Sequence, residues 1–198
     1  GAFARALAGI RNLVAIGQKV GLRFTITRHN YRDVAEILKL VEDENINRVC
    51  FYHLVYSGRG SSMARDDLTH FQMRRCIDTL CEWTGYLHKK GLNKEVLTVD
   101  NHADGPYIYL KMKKENSQKA EEVLRLLQYN GGNSSGIGIA NIDSLGNVHA
   151  DQFWQSHSFG NARVKAFGDI WQDTTDSLMA KLKDRKKYLK GRCAVCKF

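Results

Sequence analysis

The stretch KVGLRFTITRHN, residues 19–30, decides the fold. Its side chains alternate, with Val20, Leu22, Phe24 and Ile26 on one face and Gly21, Arg23, Thr25 and Thr27 on the other, which is the period of a β-strand. In a parallel sheet covered by helices on both sides such a polar face would be anomalous, because those strands are apolar throughout. In a barrel the apolar face meets the outer helices, while Arg23 and the threonines look into a lumen that holds a polar ligand. Outward from this strand the pattern runs strand, helix, strand, helix, strand as far as His102, the order of a parallel α/β unit.

The first helix of that unit is expected from an Asn30 cap through Asp33 to about Glu44, with Val34, Ile37, Leu38 and Val41 as its buried stripe. A second strand, Arg48 to Tyr56, ends in Ser57-Gly58-Arg59-Gly60. A long helix from about Asp66 to Lys90 should bury Leu68, Phe71, Leu80, Trp83, Thr84 and Leu87, and the third strand is Glu95 to Asp100. Ahead of the unit, Phe3, Ala6, Leu7, Ile10, Leu13 and Val14 share one side of a helix. Beyond it come a short extended run, Tyr107 to Met112, a helix from Ser117 to Tyr129 ended by Gly131 and Gly132, and a hairpin turning at Ser144-Leu145-Gly146-Asn147. Phe153, Trp154, Phe159, Phe167 and Trp171 are expected to seal a small satellite core, and a basic helix to Lys190 follows.

With 198 residues, 43% of them hydrophobic, the chain can bury a substantial core. The net charge of +9 would fit a nucleic-acid partner, yet +6 of it sits between Lys181 and Arg192, and the remainder is nearly balanced. A solvated helix face or a collar around an anionic centre accounts for that run. No apolar stretch approaches the roughly 18 residues that span a bilayer, and no signal peptide is evident, so a cytoplasmic protein without membrane or nucleic-acid partners is expected.

Two of the five cysteines stand apart as Cys193-Ala194-Val195-Cys196, beside Arg192 and Lys197. This electropositive setting favours thiolate chemistry. Metal or cluster ligation leads the readings of the pair, with a redox couple and an incidental spacing still open. Zinc and iron-sulfur sites normally take four ligands, so the pair reads as half a site in a piece of a larger protein. Cys50, Cys76 and Cys81 read as buried apolar residues.

At the carboxyl ends of the three strands, where parallel α/β folds bind ligands, the turns are polar. They are Thr27-Arg28-His29-Asn30, Tyr56 to Gly60, and Asp100-Asn101-His102-Ala103-Asp104. His29 and His102 are each a candidate base or ligand, or a solvated loop histidine. P-loop, zinc-protease and serine-hydrolase motifs are all missing.

Five segments carry a resemblance that covers nearly the whole chain: GLRFTITRHNYRDV at 21–34, RVCFYHLVYSGRG at 48–60, VDNHADGPYIYLKM at 99–112, GGNSSGIGIANIDSLGNVHADQFWQ at 131–155 and GRCAVCKF at 191–198. In these the chain resembles the C-terminal half of a radical S-adenosylmethionine (radical SAM) enzyme with a SPASM-type extension, closest to the haem d1 branch. The resemblance implies an α/β fold in which residues 1–112 form the C-terminal part of a partial (β/α)6 barrel. Residues 113–198 would be a linker helix and the start of a small hairpin-and-helix extension. It also implies that the loop holding the cluster that cleaves S-adenosylmethionine precedes Gly1, so that this piece is inactive alone.

Cys193 and Cys196 match the opening pair of the family's downstream C-x2-C-x5-C run, two ligands of one auxiliary 4Fe-4S cluster. Asp151 stands where a SPASM cysteine is common, and no cysteine lies near Asn133, which puts the first auxiliary cluster in question. The family's chemistry implies a 5'-deoxyadenosyl radical acting on a didecarboxysirohaem-type tetrapyrrole with loss of propionate side chains, and an electron donor such as flavodoxin or ferredoxin. Enzymes of the alternative haem route, peptide-modifying SPASM enzymes and a zinc-bearing binding module are the other readings. For a substrate bearing carboxylates, Arg23, Arg28 and Arg59 are nominated as contacts, with His29, Tyr56 and His102 near the rim. Tyr52 and Leu54 would border the adenine; no catalytic residue is named.

Overall fold

A computed structural model describes residues 1–115 and 118–196. The chain divides into two compact units, Gly1–Ile108 and Tyr109–Phe198.

The first unit is built on a parallel sheet in the order β1 (Gly21–Thr25), β2 (Arg48–Tyr52), β3 (Glu95–Val99). Its register sets Leu22, Val49 and Val96 side by side, and Phe24, Phe51 and Thr98 two residues on. That face meets α2 (Val34–Asp43) and α3 (His70–Lys89). Val34, Leu38 and Val41 of α2 and Cys76, Ile77 and Leu80 of α3 join Val20, Ile26, Ile46, Val49, Phe51 and Leu68 in one buried cluster. Each such aliphatic or aromatic side chain contributes about 1.5–3 kcal/mol on leaving water. Phe24 meets Phe51 edge-on, with ring centroids 5.9 Å apart. The opposite face carries Arg23, Thr25, Cys50, Tyr52, Leu97 and Val99; Arg23 is exposed there, and so is Leu97. Arg23 thus lies on the face away from the core, as the alternation of β1 requires.

Several expectations are revised. Helix α1 (Ala2–Ala15) forms, yet only Ile10 and Val14 of its stripe pack on the core, and Phe3 is 67% exposed. Asn30 does not cap α2; its Oδ1 accepts from the Thr27 N–H and its Nδ2 donates to the Thr25 carbonyl, bracing the loop after β1. The long helix begins at His70, not Asp66, because Thr69 and Gln72 form a reciprocal capping box and residues Gly58–Asp66 coil as 3-10 turns. Phe71 consequently sits in the first turn, outside the core, with the Arg75 guanidinium over its ring; Thr84 is exposed as well.

The run Tyr107 to Met112 is not extended but lies within α4 (Asp104–Lys114). Its aromatic and branched residues favour a strand, but Asp104 in the first turn and Lys111, Lys113 and Lys114 in the last complement a helix dipole. Pro106, also in the first turn, lacks an N–H that a helix start leaves unbonded anyway.

In the second unit α5 (Ala120–Asn130) ends at Gly131, whose φ of 68° is left-handed; Ser117, the expected start, lies outside the described residues. The hairpin reduces to β4 (Asn141–Ile142) and β5 (Val148–His149). Asp143 holds its turn by accepting from the Leu145 and Asn147 N–H groups and from Asn147 Nδ2. The buried hydrophobic residues here include Val148, Ala150, Ile170 from α6 (Phe167–Gln172) and Met179 from α7 (Ser177–Lys183). The expected aromatic seal is looser: Phe167 stacks on Trp171, but Phe153, Trp154 and Phe167 remain exposed. The basic segment forms only the short α7 followed by 3-10 turns, so no long basic helix runs to Lys190. Among the described residues no helix is long and apolar enough to cross a membrane.

Candidate functional site

At the carboxyl ends of β2 and β3 the first unit opens a cleft of about 770 Å³. Its walls are the loop after β2 with Leu54 and Tyr56, the start of α3 with His70, Met73, Arg74 and Ile77, and the loop from Asp100 into α4. His53 Nε2 and Asp104 Oδ2 lie 2.6 Å apart, with side chains 4% and 5% exposed. Asn101 Nδ2 donates to the other Asp104 oxygen at 2.8 Å, and the Ala103 N–H binds Asn101 Oδ1, so the loop orients the carboxylate. A carboxylate accepts only, so an ionised Asp104 takes its bonds from His53 Nε2–H and from Asn101. Beside them Asp100 adopts a left-handed φ of 70°, a conformation Asp tolerates better than most residues. Asp100 is exposed, but partial desolvation still pushes its carboxyl above its ordinary range, against the opposing influence of His53 and His102.

No protein-family model matches the sequence. Over its whole length, however, the chain is 54% identical to the Fe-coproporphyrin III synthase of Methanosarcina barkeri, covering 50% of that protein. It is 39% identical over 99% of its length to the pre-heme d1 synthase of Dinoroseobacter shibae, covering 49% of it. The chain is homologous to radical SAM enzymes. It spans about half the length of the curated relatives it matches. Its fold is shared with SuiB of Streptococcus suis: a TM-score of 0.63 at 15% identity over 91% of this chain and 39% of SuiB bound to its precursor peptide SuiA. The S-adenosylmethionine complex of SuiB gives 0.61 at 16% identity, over 91% of this chain and 38% of SuiB.

The nominated residues fall into separate groups. Leu54 and Tyr56 line the cleft. The Tyr56 hydroxyl donates to Asp67, and that bond pushes the phenol above its ordinary range. Arg28 and His29 converge on Asp66, at 3.3 and 2.9 Å, and the bond from His29 chiefly holds Asp66 below the usual carboxylate range, Arg28 adding to it. Arg23 stands apart on the open sheet face, its guanidinium 5.5 Å from the centre of the Tyr52 ring. Arg59, in the 3-10 segment after β2, and His102, in the turn before α4, are exposed. The residues that sequence reasoning missed are His53, Asp66 and the pairing of Asp104. A single histidine inside the apolar run Val49 to Val55 was the available signal for His53.

Cys193 and Cys196 are both exposed on the 3-10 turn Gly191–Val195 and its cap, where the Cys196 N–H approaches the Cys193 carbonyl at 3.4 Å. Two accessible thiols on adjacent turns suit two corners of a tetrahedral or cluster site. Among the described residues no three His, Cys, Asp or Glu side chains gather as a metal site, and the pair by itself offers two of the four ligands such sites normally take. Cys76 is its opposite: buried, with burial pushing its thiol up to about 11.

Proposed function

We propose that this chain is half of a radical SAM enzyme of haem biosynthesis that acts on a carboxylate-bearing tetrapyrrole of the didecarboxysirohaem type. The observation that carries the proposal is 54% identity, over the whole of this chain and half of the relative, with a protein named for making Fe-coproporphyrin III. The identity of 39% with a pre-heme d1 synthase makes haem d1 precursor formation the second reading. The motifs alone favoured haem d1; the higher identity favours the alternative haem route. When bound, S-adenosylmethionine and its cluster supply the radical that removes hydrogen from the substrate.

The roles of the chain's own residues in this reading are to bind and orient. Cys193 and Cys196 hold two corners of an auxiliary 4Fe-4S cluster. Arg23, exposed on the open sheet face, and Arg59 meet substrate carboxylates, and Arg28 with His29, braced by Asp66, forms part of the rim together with Tyr56 and His102. Tyr52 and Leu54 border the cofactor. The parent enzyme works in the cytoplasm with a small electron-transfer protein as reductant.

The test is anaerobic reconstitution of the full-length enzyme with didecarboxysirohaem, S-adenosylmethionine and a reductant, with products identified by mass spectrometry. Iron-coproporphyrin III is the expected product; a haem d1 precursor would select the second reading, and a colourless protein that retains zinc and does not cleave S-adenosylmethionine would refute both.

A further inference from the structure

The thiol pair rides on a segment with little packing of its own. Every residue from Lys186 to Cys196 is exposed, and the segment consists of two short 3-10 turns, Arg185–Tyr188 and Gly191–Val195. Most of its contacts are local: Lys187 pairs with Asp184, the Lys181 ammonium lies over the Tyr188 ring, and the Cys196 N–H approaches the Cys193 carbonyl. Arg185 is the exception. Its Nη1 donates to the Asn133 carbonyl and its Nη2 to the Ser135 carbonyl at 2.8 Å, joining positions 52 and 50 residues apart, and its Nε is out of solvent. Among the described residues these are the hydrogen bonds by which residues 185–196 reach anything ahead of α7.

The loop that receives them is held from several sides. Asn133 Oδ1 accepts from the Ser135 N–H, Ser135 Oγ donates to Asp151, and the same carboxylate takes the Phe153 and Trp154 N–H groups. The Gly136 N–H binds the Ala150 carbonyl at 2.9 Å. Gly136 also lies so close to α7 that a Cβ there would stand 2.6 Å from Leu182 Cδ1. The loop is therefore tied to the hairpin and pressed against the helix that leads to the thiols. A planar guanidinium can fork onto two carbonyls of one loop, whereas a lysine ammonium is a single point of charge. Such charge-assisted bonds are stronger than neutral ones.

The geometry points to Arg185 as the positioning residue of the auxiliary-cluster ligands: its fork onto the 133–135 loop anchors the segment that presents Cys193 and Cys196 to one metal centre. The inference rests on the reading of this pair as cluster ligands given above.

The test uses the full-length reconstituted protein under anaerobic conditions and reads the cluster rather than turnover. Iron missing from a Cys193→Ser, Cys196→Ser double variant defines the auxiliary pool, and a chelator then strips that pool from each protein. Arg185→Met keeps the apolar stem and removes both bonds; it should speed the stripping roughly tenfold to a hundredfold. Arg185→Lys, which keeps the charge and can make one of the two bonds, should recover part of the loss and serves also if the Met variant does not fold. Ser135→Ala frees the loop from Asp151; it should speed the stripping in the wild-type background but add little to Arg185→Met, because both act through one loop. The Val148 and Phe159 amides, which bond to the Gly160 and Val148 carbonyls, report the fold of the unit and should keep their protection from hydrogen exchange in every variant. Equal stripping rates in wild type and the Arg185 variants, additive effects of Ser135→Ala and Arg185→Met, or lost protection at Val148 and Phe159 would overturn the assignment. A double cysteine variant that holds as much iron as wild type would overturn the reading of the thiol pair along with it.

Discussion

Replacing Asp104 by alanine probes the floor of the cleft directly. The change removes two hydrogen bonds to one carboxylate, at 2.6 Å from His53 and 2.8 Å from Asn101, and strands a ring whose Nδ1 already has no partner among the described residues. Breaking one side of a buried pair costs about 3–5 kcal/mol, because the remaining partner stays desolvated. Replacing both partners by apolar groups, His53→Phe with Asp104→Leu, removes that penalty and should cost less than about 2 kcal/mol. Hydrogen exchange of the β2 amides reads the difference locally, without requiring the whole protein to unfold in one step. In the Asp104→Ala variant these amides should exchange faster by a hundredfold to several thousandfold, since about 1.4 kcal/mol is a factor of ten. In the double variant the acceleration should stay within roughly thirtyfold. Exchange in Asp104→Ala within threefold of wild type, or a double variant worse than the single one, would refute the claim that this pair is buried and mutually dependent.

Cysteine labelling separates the two kinds of thiol. Iodoacetamide at mildly alkaline pH should alkylate Cys193 and Cys196 in the metal-free protein and spare Cys76, which is buried with its thiol pushed up to about 11; reconstitution with iron and sulfide should protect Cys193 and Cys196, as peptide mass spectrometry would show. Acid should loosen the hairpin of the second unit. Asp143 is held down to about 2, chiefly by Asn147. Because its pKa in the folded chain is depressed, its contribution is complete above the ordinary carboxylate range and fades as pH falls toward about 2. Amide NMR of residues 143–149 should follow that loss, and Asp143→Asn should abolish it.

The strands of the first unit were legible because alternation is a local property: Leu22, Phe24, Val49 and Phe51 reach the core wherever the sheet forms with helices on one side. The stripe of α2 was legible for the same reason. Tyr107 to Met112 misled because its aromatic and branched side chains suit a strand, while the residues that start the helix, Asp104 and Pro106, lie just before that window. The length of the apolar stripe on α1 also misled, since periodicity marks a helix face but not how much of it finds a partner. Among the candidate site residues, the polar rim was readable as three turns in sequence. That Arg28 and His29 would share Asp66 was not, because the pairing joins positions 37 and 38 residues apart.

By itself the sequence determined the parallel α/β pattern, the orientation of Arg23 away from the core, the terminal thiol pair and the kinship of the five motif segments. Those properties depend on neighbours within a few residues, where backbone geometry dictates which side chains share a face. The buried union of His53 and Asp104, 51 residues apart, was decided only by the tertiary structure. It arises because β2 and the loop after β3 deliver the two side chains to one desolvated point, and no local period records which distant polar groups must meet to survive burial.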